Sequence, residues 1–60
     1  MNINIYLINT DGSGSLIQAT TAINDADALA KISALMSANN NSYRVEEILA
    51  NGSRIIGQVP

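Results

Sequence analysis

The chain has 60 residues, with three basic and five acidic side chains, a net charge of −2, and no Cys, His, Phe or Trp. This composition excludes disulfides and the usual zinc sites. Three cations are too few to neutralise phosphates along a nucleic-acid-binding face.

Length sets a second limit. A domain of this size buries only about 60% of its unfolded surface and is marginal alone, so a partner subunit is the common remedy. No apolar run approaches the ~18 residues of a membrane span. The opening MNINIYLIN lacks the basic start and small-residue cleavage site of a signal peptide. The expectation is a cytoplasmic protein with no membrane partner. Asn40-Asn41-Ser42 and Asn51-Gly52-Ser53 match the glycosylation pattern, which means little without secretion.

In chain order, residues 2–9 alternate, with Ile3, Ile5 and Leu7 on one side and Asn2, Asn4, Tyr6 and Ile8 on the other. That is a half-buried strand. Thr10-Asp11-Gly12-Ser13-Gly14 is a turn cluster, and residues 15–22 form a second strand. Matching apolar faces pairs Leu7 with Ile17, Ile5 with Ala19 and Ile3 with Thr21, and sets Tyr6 by Gln18 and Ile8 by Leu16. This register implies a three- or five-residue loop, which two glycines accommodate.

Residues 25–40, DADALAKISALMSANN, are the only segment with a helical period. Ala28, Leu29, Ile32, Leu35 and Met36 make one apolar stripe. Asn24 or Asp25 suits the N-cap, Asp25 and Asp27 complement the helix dipole, and Asn39-Asn40-Asn41-Ser42 suits a left-handed stop. The opposite side carries Ala26, Ala30, Ala34 and Ala38, a ridge of small side chains that a second backbone can approach. Alanine's helix propensity alone also accounts for it.

Residues 43–50 form a third strand and 53–59 a fourth, with Asn51-Gly52 as the hairpin signal between them. A two-residue turn pairs Leu49 with Arg54 and Val45 with Gln58. A three-residue loop pairs Leu49 with Ile55 and Val45 with Val59, which matches faces better. A bulge near Glu46-Glu47 is the other solution.

The expected fold is therefore a single α+β domain over 1–60 with order ββαββ. It is a four-stranded antiparallel sheet with one helix packed on one face. Strand order 2-1-3-4 is preferred over 2-1-4-3. The expected core is Ile3, Ile5, Leu7, Ile17, Ala19, Leu29, Ile32, Leu35, Met36, Val45, Leu49, Ile55 and Val59. The other sheet face, with Tyr6, Ile8, Leu16, Ile48 and Ile56, has no cover from the chain and reads as an interface.

No reaction chemistry is visible. The usual nucleophile–base sets need His or Cys. Glu46 and Glu47 are neighbours in a strand and point to opposite faces, and Asp25 and Asp27 suit capping. Asp11-Gly12-Ser13-Gly14 lacks the remaining ligands of a calcium loop and the Gly-Lys-Ser/Thr of a phosphate loop. No catalytic, metal or cofactor-binding residue is assigned, and the chain is expected not to be an enzyme.

In outline, ββαββ in 60 acidic, nearly lysine-free residues is similar to small phage-encoded proteins that block bacterial defence systems, and equally to short bacterial domains. The resemblance implies a protein-binding inhibitor. The residues by themselves imply a protein-binding homodimer, with self-association on the sheet face and the alanine ridge left for a partner or solvent. The alternative is a small-ligand or nucleotide-signal module using Arg44, Arg54, Tyr43 and the Asn-rich loop.

Overall fold

The computed structural model describes residues 1–60. Strand β1 spans Asn2–Ile8 and β2 spans Gly14–Thr21; helix α1 spans Asp25–Asn39; β3 spans Ser42–Leu49 and β4 spans Gly52–Val59. The four strands form one antiparallel sheet in the order β2-β1-β3-β4. The expected α+β fold and the preferred strand order are both observed.

The helix starts and stops for local reasons. The Asn24 side chain accepts the Asp27 N–H at 2.8 Å, and Asp27 accepts the Ile23 N–H at 2.9 Å. Asn40 takes the left-handed conformation, φ 55°, and donates its N–H to the Met36 carbonyl at 2.8 Å. Ala28 and Ile32 are fully buried against the sheet, with Leu29, Leu35 and Met36 half-buried beside them. The sheet contributes Ile3, Ile5, Tyr43 and Val45 to this layer, and Ala22 closes one end.

Both hairpin registers differ from those expected. In the first, Ile3 lies opposite Thr20 and Ile5 opposite Gln18. After a bulge at Ile17, Tyr6 lies opposite Leu16 and Leu7 opposite Ser15. The loop sets this register. The Asn9 N–H reaches the Ser13 carbonyl at 2.7 Å, and Asp11 accepts both the N–H and the hydroxyl of Ser13. Gly12, at φ 88°, turns the chain between them. Ile17 and Ala19, expected in the core, are exposed.

In the second hairpin Leu49 lies opposite Gly52, one position short of the Asn51-Gly52 turn. Gly52 alone has positive φ, 144°, so Ala50-Asn51 make the turn and a type I′ geometry is not formed. The register then shifts between Val45 and Glu46, adjacent to the expected bulge position, with Ile56 as the extra residue on β4. Without that shift, Gln58 would sit beside buried Tyr43. With it, Val59 takes that place, and Ile56 packs on the core. Gly57 lies directly under the helix, where a Cβ would come within 2.6 Å of Leu29 Cδ2. The assignments of Ile55 and Leu49 to the core and of Ile56 to the far face are thus corrected. Ile55 is 64% exposed and Leu49 is exposed at the hairpin tip.

Candidate functional site on the open face of the sheet

The helix lies over β3 and β4. The other face of the sheet has no second layer. Alternation along the strands and their register place Leu16, Tyr6, Arg44 and Gln58 in one row across it. Ala19, Asn4, Glu46 and Ile55 make the next, and Thr21, Asn2, Ile48 and Ser53 the third.

The centre of this face is polar. The Arg44 guanidinium stands 4.8 Å above the Tyr6 ring, a cation–π contact. Its Nε donates to Glu46 Oε2 at 2.8 Å, and the Ser53 hydroxyl donates to the other Glu46 oxygen at 2.7 Å. Asn4 reaches the Tyr6 hydroxyl at 3.4 Å. Arg44 extends across β1 to Gly14, where a Cβ would stand 3.1 Å from its terminal nitrogen. The absence of a side chain there gives the guanidinium room to lie flat.

The apolar residues flank this polar spine. Leu16, 56% exposed, lies on the β2 side; Ile48, 41% exposed, and Ile55 lie on the β3–β4 side. Ile8 is half-buried at one end. A shallow depression lined by Asn2, Asn4, Ala19, Thr21 and Ile48 opens at the other. Four of the five residues expected here are present: Tyr6, Ile8, Leu16 and Ile48. The fifth, Ile56, is replaced by Ile55. Arg44, expected only as a small-ligand candidate, also lies on this face, as its position between inward Tyr43 and Val45 implies. Gly57 was the available signal for the Ile55–Ile56 exchange, since a glycine inside a strand marks a bulge or a close approach.

Ala26, Ala30, Ala34 and Ala38 all lie exposed on the outer side of the helix. They form the expected ridge, with Lys31 bridged to Asp27 at 3.2 Å at its edge.

The groups suggested for small-ligand binding do not converge. Tyr43 is buried under the helix. Arg44 is engaged by Glu46 on the open face. Arg54 lies on the helix side, where it donates to Asp25 at 2.8 Å and to Glu47 at 2.9 Å and ties the start of the helix to the second hairpin. Hydrogen bonds from Arg54 hold the Asp25 carboxyl below its ordinary pKa, and the same pairing raises that of the guanidinium. Asp27 is lowered by the Ile23 N–H and then by Lys31, and Asp11 by the Ser13 hydroxyl and N–H.

No helix is long and apolar enough to cross a membrane. No protein-family model matches the chain, and neither a curated protein nor a solved structure matches it.

Proposed function

We propose that the protein is a non-enzymatic protein-binding module that works as a homodimer and offers the open face of its sheet to another protein. The carrying observation is the Arg44–Tyr6 stack at the centre of an uncovered face, with Leu16, Ile48 and Ile55 around it. Tyr and Arg are among the residues most enriched at interface centres, and apolar neighbours that exclude water strengthen them. The two longer dimensions of the molecule, 30 and 22 Å, bound a face approaching the ~800 Å² per partner of a standard interface.

The small core supports the dimer. Only seven residues are buried, so association would supply burial that the lone chain lacks. Within this class, the resemblance in outline to phage-encoded inhibitors, which short bacterial domains show equally, makes a bacterial defence protein the first partner to test.

Parallel affinity captures from bacterial lysate with wild type, Arg44→Ala, Ile48→Glu and Ala34→Glu test the reading. A partner retained by wild type and Ala34→Glu, and lost with the two open-face variants, supports it. A partner retained equally by all four moves binding off this face.

A further inference from the structure

The open edge of β2 differs from every other part of the sheet. Of its eight residues only Thr20 is even partly covered, and none is charged. The opposite edge, β4, is guarded. It carries Arg54 tied to Asp25 and Glu47, the bulge at Ile56, and the helix above it. Charges, bulges and covering helices are the usual means of keeping an edge from pairing. β2 has a bulge at Ile17, in the middle of the strand, and the four-residue run from Gln18 to Thr21 beyond it has none of these protections.

The hydrogen-bond alternation shows which groups are free. Met1 and Ala22 exchange two bonds of 2.9 Å, so Ala22 directs its backbone toward β1. Thr20 and Gln18 then do the same, and the N–H and C=O groups of Ala19 and Thr21 point outward. Beyond the strand, Ile23 is 87% exposed, the most exposed large apolar side chain of the chain.

We infer that a second copy of this chain pairs with this edge, β2 antiparallel to β2 about a two-fold axis, joining two sheets into one of eight strands. This rests on the homodimer reading above and assigns its contact. The register that pairs the outward groups of both residues with each other sets Ala19 opposite the partner's Thr21, and the reverse. Thr20 then meets its own copy on the axis, a favourable cross-strand pair. The same register brings Ile17, exposed at the bulge, into line with the partner's Ile23, so two isoleucines that the monomer leaves in water gain a neighbour. A two-fold contact sets like residues close together, and an uncharged strand does this without repulsion.

The open face suits self-association less well. Stacking two copies there would dehydrate two Arg44–Glu46 pairs at once, and taking charges out of water opposes association. Edge pairing leaves both open faces in water and available.

Amide hydrogen exchange and sedimentation, each over a concentration series, test the contact. The Ala19 and Thr21 amides are expected to exchange freely in dilute protein and to gain protection as the mass approaches twice 6.3 kDa. Ala19→Pro removes an outward N–H, which an edge strand tolerates, and should leave a folded monomer. Ile23→Lys, outside the strand, should weaken the dimer and serves if Ala19→Pro does not fold. Ile48→Glu should remain dimeric. A dimer that persists in Ala19→Pro and Ile23→Lys and is lost in Ile48→Glu overturns edge pairing and moves the contact to the open face. A monomer at every concentration overturns the homodimer itself.

Discussion

Each hairpin of the sheet contains one bulge, and the helix gives the two bulges opposite outcomes. In β3–β4 the extra residue, Ile56, packs on the core, and Gly57 lets Leu29 rest on the strand. In β1–β2 the extra residue, Ile17, stays 47% exposed. Both are isoleucines in strands of eight residues. The difference lies above them. A helix about 10 Å wide spans roughly two strands spaced ~4.8 Å apart. This one covers β3 and β4, reaches β1 along its flank, and leaves β2 bare. A bulge changes which residue is buried only where a second layer exists to bury it.

The largest expected contrast follows from this. Ile32→Ala, at a fully buried position, should cost about 2–5 kcal/mol, enough to unfold much of the protein at low concentration. Ile17→Ala in dilute protein should stay within about 0.5 kcal/mol. Urea titrations of the two variants measure the difference. Comparable losses would mean that something covers β2 even in the monomer.

The helix anchoring comes next. Asn24→Ala removes the acceptor for the Asp27 N–H and should cost about 1 kcal/mol. Because α1 rests on β3 and β4 and leaves β2 bare, hydrogen exchange should accelerate more in β3 and β4 than in β2.

Acid should act on the same junction. Asp25 and Asp27 have folded-state pKa values below the ordinary 3.8. A depressed carboxyl contributes stability that is present above its unfolded pKa and lost as pH falls through the folded value. Thermal midpoints should therefore be flat above about pH 5 and decline below about pH 4. Asp25→Asn should reduce that decline. Asp25 is exposed and Asp27 only half-buried, so added salt should shrink the effect.

The smallest effect is expected on the alanine ridge. Ala34→Glu, on the exposed helix side, should leave both melting and association unchanged. A change in sedimentation would show that the ridge is a contact surface.

Much of the fold was legible because it depends on short-range chemistry. The helix period, the Asn24 cap, the Asn40 stop and the two turn clusters each act within a few residues. The ββαββ order and the 2-1-3-4 arrangement followed from element types and from the apolar character of the first strand. The open face was legible in Tyr6, Ile8, Leu16 and Ile48 for the same reason, since residues two apart in a strand share a side.

What the sequence by itself determined was thus which segments form strands and helix, and which side of β1 faces inward. Tertiary structure decided the registers, the two bulges, the exchange of Ile55 for Ile56, and the exposure of Ile17. Alternation fixes a side only until an extra residue is inserted. Whether insertion is favourable depends on partners distant in sequence: Tyr43 needing Val59 rather than Gln58 beside it, and Leu29 needing a glycine beneath it. The freedom of the β2 edge was decided at the same level, because the width of one helix, set against the width of four strands, determines what stays uncovered.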